Sequence, residues 1–324
     1  MASDRPVLKA RDLTKTFGDL VAVGHVNLEI RPGEIYGFLG PNGAGKTTTL
    51  LMLLGILRPT GGEVAVFGER MHPSAVAAKR RIGVVPERLS FYEEMTAWEY
   101  LRFFAELYGV KAASGRAHCL LRHMDLWDWR GMVVGHFSHG MQRKLSLVRA
   151  LIHSPDLIVL DEPVSGLDPQ GVLQVREVLL EEHEAGKTIV MSSHVLSEVE
   201  RLADRVGIMA GGALVAEDAL DKLAHLTAEA RRVEIEVVEG PEGLADSLRA
   251  LPFVTDVIVA GRNMTVSTHA DRDYRSDLGR ILAGQGVVLA GMRAHDVSLE
   301  EAFLIITEAD VRAWAGREPD EPAA

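Results

Sequence analysis

The sequence predicts an α/β protein joined to a smaller α+β unit, and three observations predict it. The glycine-rich stretch "GPNGAGKT" lies between a short apolar run and an apolar segment with helical spacing. Two further apolar runs, "DLIVLDEP" and "TIVMSSH", end in acids and in a histidine. Continuous apolar runs of that length are how strands of a parallel sheet covered on both faces read. Beyond about residue 225 the pattern changes to strand–helix–strand–strand–helix–strand, the order of a small ferredoxin-like unit.

Composition bounds the class. A chain of 324 residues holds two domains, and 47% hydrophobic with 25% charged residues describes a soluble globular protein. The net charge of −11 argues against broad electrostatic binding to nucleic acid, and no nucleic-acid partner is expected. Cys119 is the only cysteine, so a disulfide framework and a thiolate metal site are excluded, and a reducing cytosol fits. The stretch "MASDRPVLKARDL" lacks the apolar core of a signal peptide, and no apolar run approaches the ~20 residues of a membrane span. Any work at a membrane is expected to be done from its surface.

Taken in order, Ile35 to Leu39 reads as a buried strand, Gly40 to Gly45 as a tight loop, and Lys46 to about Leu57 as a helix. Gly40, Gly45, Lys46 and Thr47 satisfy the spacing G-x-x-x-x-G-K-[ST]. Glycines let backbone N–H groups turn inward around a polyphosphate, and the helix start adds a favourable dipole. Lys46 neutralises the charge of the outer phosphates and Thr47 offers a hydroxyl to Mg²⁺. The loop as a whole, Gly40, Pro41, Asn42, Gly43, Ala44, Gly45, Lys46, Thr47 and Thr48, is the candidate polyphosphate cradle.

The strand "DLIVLDEP" supplies the acids. Asp161 and Glu162 stand at its carboxyl end, where open α/β sheets place their ligands. Asp161 is suited to a Mg²⁺ shell and Glu162 to taking a proton from an attacking water. Ahead of this strand, Ser138 is a suitable N-cap for the segment "QRKLSLVRALI", whose Leu145, Val148 and Leu151 have helical spacing.

These motifs in this order resemble the nucleotide-binding subunit of an ATP-binding-cassette (ABC) transporter. The resemblance covers about residues 5–220 and implies a P-loop ATPase with antiparallel β and helical subdomains. In that family a Ser-x-Gly-x-Gln signature opens a helix and binds the γ-phosphate held by a second subunit. Ser138, Gly140 and Gln142 match it, and His139 replaces a common glycine, as in an export branch. "PVSGLDPQG" resembles the D-loop with Asp168, and His194 resembles the switch histidine. Phe17 in "LTKTFGDLVAV" stands where the family stacks an aromatic on adenine; packing within an antiparallel strand is the alternative reading.

Glu87 occupies the Q-loop position, where many relatives carry glutamine. A carboxylate there can ligate Mg²⁺ or orient water, and it repels phosphate oxygens when no cation intervenes. The aromatic and aliphatic segment after it, through Tyr100, Phe103, Phe104, Leu107 and Tyr108, reads as helices of the subdomain that receives a membrane subunit.

The resemblance therefore implies a Mg²⁺- and ATP-dependent hydrolase, a homodimer bound to a separate permease on the inner face of the cell membrane, and export as the direction. Two alternatives are a soluble ABC ATPase that remodels a nucleoprotein or assembly complex, and a non-hydrolysing regulatory module; intact Glu162 and His194 count against the latter. Residues 226–311 are expected to form the accessory domain, with a capping box at Ser298 and Glu301, and 312–324 a disordered tail.

Overall fold

The computed structural model of the chain describes residues 5–110, 113–219, 230–241, 243–269 and 272–295. They form two compact units, the first ending at Asp218 and the second beginning at Ala219.

The first unit opens with the antiparallel pair β1 (Leu8–Phe17) and β2 (Leu20–Ile30). Val26, Leu28 and Ile30 are buried in alternation, as expected where one face of a sheet is covered. After β3 (Ile35–Leu39) and helix α1 (Lys46–Leu53), strands β4 (Gly61–Val66) and β5 (Glu69–Arg70) complete this sheet in the order β2-β1-β4-β5. The sequence expected α1 to reach Leu57. It stops earlier because Gly55 takes φ 61°, where a Cβ would stand 3.0 Å from the His72 nitrogen. Leu54 and Leu57 continue the packing without continuing the helix, whereas Ile56 is exposed.

Helix α2 (Val76–Lys79) leads into β6 (Ile82–Val85), which joins a second sheet. Helices α3 (Ala97–Leu107), α4 (Ala113–His123) and α5 (His139–Leu151) follow. Thr96 and Glu99 cap α3 reciprocally. Tyr100, Leu101 and Ala105 of α3 enter one core with Leu121 of α4 and Leu145 and Val148 of α5. Phe103 and Leu107, on the same helix, remain exposed.

The second sheet is completed by β7 (Leu157–Asp161), β8 (Thr188–Ser193), β9 (Arg205–Ala210) and β10 (Ala213–Ala219), with α6 (Pro169–Glu184) and α7 (Leu196–Val199) between them. Its order is β10-β9-β3-β8-β7-β6, parallel from β9 through β6. Every residue of β3, β7 and β8 is buried. Their side chains alternate between two cores. Ile158, Leu160, Ile189 and Met191 meet the helical core, whereas Phe38, Leu157, Val159 and Val190 meet the core shared with α1 and the antiparallel sheet. Leu39 pairs with Ser193 and Asp161 with Ser192, so the carboxyl ends of the central strands lie level. The connections after β3, β6, β7, β8 and β9 leave the sheet at that edge.

The second unit holds β11 (Ala230–Glu239), α8 (Leu244–Arg249), β12 (Val254–Ala260), β13 (Asn263–His269), α9 (Arg275–Gly284) and β14 (Val288–His295). The strands run antiparallel in the order β12-β13-β11-β14. Leu244, Leu248, Leu278 and Leu282 of the helices pack on Val233, Ile235, Val257 and Val266 of the sheet, giving the unit its own core. Ser298, Glu301 and 312–324 lie outside the described residues.

Candidate active site

The site is built on the carboxyl edge of the second sheet. The loop after β3 turns back on itself through Gly43 and Gly45, both at positive φ. Gly45 is forced twice over. Its φ of 99° disfavours any side chain, and a Cβ would lie 2.7 Å from the Ala22 carbonyl of β2. At Gly40 a Cβ would lie 2.4 Å from the Met209 carbonyl of β9. Glycine is thus required for close backbone packing, a reason the sequence alone did not supply.

Lys46 opens α1 and is 6% exposed. Its Nζ donates to the Gly40 carbonyl at 2.6 Å and the Pro41 carbonyl at 3.2 Å, and lies 3.8 Å from Oε1 of Glu162. Burial lowers the Lys46 pKa below the ordinary lysine value, while Glu162, Asp161 and Glu87 act in the opposite direction. Thr47 and Thr48 follow on the exposed side of the same turn, half-buried.

Asp161 is buried as the last residue of β7, where its Oδ1 accepts the Ser192 hydroxyl. Glu162 then takes φ 51°, an uncommon conformation for a residue with a side chain. Its backbone N–H donates to both the carbonyl and the hydroxyl of Ser192, at 3.2 and 3.1 Å. This turn leaves the Glu162 carboxylate between Lys46 on one side and His194 on the other, with 2.9 Å from Oε2 to His194 Nδ1. Ser192 is the residue that sequence reasoning passed over. It sits two positions before His194, on the strand adjacent to Asp161, and that adjacency was its only signal.

Glu87 follows β6 and is exposed. Its charge and those of Asp161 and Glu162 act on Lys46 together. Ser138 caps α5, its Oγ accepting from Met141 N at 3.2 Å. Gly140 lies beside Leu167, and the His139 ring packs on Gly166 in the loop before Asp168. Gln142 donates to the Val134 carbonyl at 3.4 Å. Asp168 caps α6, accepting from Gly171 N at 2.8 Å. Hence the loop after β3, Asp161, Glu162, His194 and Glu87 gather at one edge of the sheet, while Ser138, Gly140, Gln142 and Asp168 form a separate cluster around the starts of α5 and α6. Phe17 ends β1 half-exposed, with Lys15 Nζ 5.0 Å from its ring centre, so it is not strand core. Its hairpin adjoins the glycine loop through Ala22 and Val23.

Residues 23–165 match the ABC transporter family. The chain is 42% identical over 302 residues to a bacitracin transport ATP-binding protein of Bacillus licheniformis, covering 92% of this chain and 96% of that relative. The chain belongs to the ABC transporter ATP-binding proteins. A linearmycin resistance ATP-binding protein of Bacillus subtilis is 30% identical, over 94% of this ABC protein and 100% of the relative. A Nod factor export ATP-binding protein of Burkholderia orbicola is 39% identical, over 76% and 82%. Among solved structures, the ATP-binding subunit of an ABC transporter aligns with a TM-score of 0.65 and 31% identity, covering 68% of this chain and 92% of that one. A dimeric ATP-binding cassette in a post-hydrolysis state with ADP and phosphate aligns at 0.61 and 26%, over 66% and 98%. The fold is that of a P-loop ABC ATPase, and the protein is an ABC-type nucleotide hydrolase.

Proposed function

We propose that this ABC ATPase drives export through a separate membrane permease, working as a homodimer at the inner face of the cell membrane. The observation that carries the transport reading is kinship over nearly the whole chain, 92% of it, with a relative named for bacitracin transport. The names of the linearmycin resistance and Nod factor export relatives support the outward direction. No helix among the described residues is long and apolar enough to cross a membrane, so the translocation path is assigned to another chain. Tyr92, Phe103 and Leu107 are exposed beside the helical core, with Tyr92 and Phe103 edge to face at 5.5 Å, and they supply an apolar surface for such a partner.

The donor set fits ATP with Mg²⁺. Positive-φ glycines and a helix start suit a polyphosphate, and Thr47 with Asp161 gives the hydroxyl and carboxylate that Mg²⁺ takes alongside phosphate and water. Glu87 stands as a further acid near them. Mg²⁺, when bound, neutralises charge between the outer phosphates. Lys46 adds positive charge at the same phosphates. Glu162 accepts a proton from the attacking water, and His194 holds the Glu162 carboxylate in place while facing the terminal phosphate. Ser138, Gly140, Gln142 and Asp168 serve the ATP of the opposite subunit, and Phe17 stacks on adenine. The first unit is the ATPase domain, and the second an accessory domain.

The test is recovery of the full chain from detergent-solubilised membranes of its native host, with the bound partner identified by mass spectrometry. A multi-span membrane protein that stimulates ATPase activity is the expected result. A chain found only with soluble proteins or nucleoprotein would overturn the transport reading and leave the hydrolase intact.

A further inference from the structure

Arg143 lies in the first turns of α5, the helix that Ser138 caps, and it is 3% exposed. Its guanidinium spans two consecutive carbonyls of the loop after β6. Nη1 donates to Pro86 O at 2.9 Å and Nη2 to Glu87 O at 3.0 Å. The neighbouring cation does not share this task, since Lys144 Nζ donates to Gln174 at 2.6 Å.

A guanidinium buried this deeply needs opposite charge nearby. The acids whose charge acts on Arg143 are Glu87 first, then Asp161 and Glu162. The same three acids act on Lys46. Two buried cations and three acids therefore share the carboxyl edge of the sheet. Glutamate in place of glutamine at position 87 adds a negative charge where an anionic nucleotide is to bind. Glu87 is itself exposed, but it faces an edge where Lys46, Arg143 and Asp161 are buried and charges act on one another more strongly than in water. A fixed cation tied to the same loop offsets it.

We propose that Arg143 is a positioning residue for the Glu87 loop, anchoring its backbone to the Ser138 helix and balancing the Glu87 carboxylate toward bound nucleotide. The inference rests on reading the Glu87 loop as part of the ATP site. It also makes the helix that serves the opposite subunit's ATP a direct support of its own subunit's site. Lysine at 143 would keep the charge but lose the planar fork that fits two carbonyls.

The experiment is a double-mutant cycle on the full chain: parent, R143M, E87Q and R143M/E87Q. Equilibrium ATP affinity is measured in EDTA and again with Mg²⁺, and urea unfolding midpoints check the fold. In EDTA, R143M is expected to weaken ATP binding about 10-fold in the parent and by under about 3-fold in the E87Q background. Mg²⁺ shrinks the difference, because the metal supplies the missing positive charge. R143K, which keeps the charge without the fork, recovers only part of the EDTA affinity. If R143M unfolds, R143Q takes its place, retaining an amide donor without the charge. Equal losses in both backgrounds, with folded proteins, would overturn the inference. Failure of the parent itself to bind ATP would overturn the site reading with it, and so distinguishes the two.

Discussion

Oε2 of Glu162 lies 2.9 Å from Nδ1 of His194, joining the end of β7 to the end of β8. A carboxylate in its ionised form only accepts, so in that form Nδ1 is the donor of this hydrogen bond. The positive φ at Glu162 is what makes the contact possible, because it turns the acid out of the strand direction. Glu162→Gln keeps the size and removes the base. ATP binding is expected to persist while turnover falls by about 10²–10⁴-fold. His194→Ala is expected to lower turnover with little change in ATP affinity. Near-parental ATPase activity in Glu162→Gln would end the general-base assignment.

Ser192 holds both acids at once, through its hydroxyl to Asp161 and through hydroxyl and carbonyl to the Glu162 N–H. Ser192→Ala leaves the buried Asp161 oxygen without that donor. A loss of about 1–3 kcal/mol in unfolding free energy is expected, with a higher Mg²⁺ requirement for ATPase activity. Urea titration and a Mg²⁺ dependence measure the two effects. An unchanged Mg²⁺ dependence would reduce Ser192 to a structural role.

The legible parts of this chain were those whose signal is local. β3, β7 and β8 stood out because burial on both faces makes their middles continuously apolar. The Ser138 cap and the strand and helix order of the second unit were also visible from short spacing. The end of α1 was misplaced because Leu54, Ile56 and Leu57 keep an apolar pattern beyond Gly55, and the positive φ there is not a matter of periodicity. The Ser192–Asp161 bond spans 31 residues and the Arg143–Glu87 bond 56. Such contacts follow from strand order and helix docking, which no local window contains. Arg143 read only as one basic residue in an amphipathic helix.

Gly45→Ala tests the loop geometry. Alanine at φ 99° is strained by about 1–2 kcal/mol, and its Cβ meets the Ala22 carbonyl. ATP affinity is expected to fall about 10-fold or more, because relief requires moving the N–H groups around the phosphates. Fluorescence titration with ATP reads this directly, and unchanged affinity would show that the loop tolerates another path.

His153 gives the fold a pH dependence separate from catalysis. Burial pushes its pKa down to about 4, and Arg116, Arg149 and Lys187 act in the same direction. Its ring stacks on Tyr108 with centroids 3.8 Å apart. The unfolded chain, with an ordinary histidine, binds the proton more tightly. The stabilising contribution is therefore complete above about pH 6.5 and is lost as pH falls toward about 4. His153→Phe keeps a ring against Tyr108 and cannot protonate. The urea midpoint of the parent is expected to drop across this window more steeply than that of His153→Phe, and parallel profiles would remove His153 as a cause.

The two units have separate cores, and every proposed site residue precedes Asp218. Arg205, which pairs with Glu34 and Glu217, ties the last strand of the first unit to the base of β3 without help from the second. A chain ending at Ala219 is therefore expected to retain its sheets and its site. ATP affinity within about 3-fold of the full chain is expected, with a single cooperative urea transition. The full chain is expected to unfold with a larger denaturant dependence, since it exposes the additional core of Val233, Ile235, Val257 and Val266. Loss of ATP binding in a shortened chain that still unfolds cooperatively would show that residues beyond Ala219 shape the site, against the independence of the two cores.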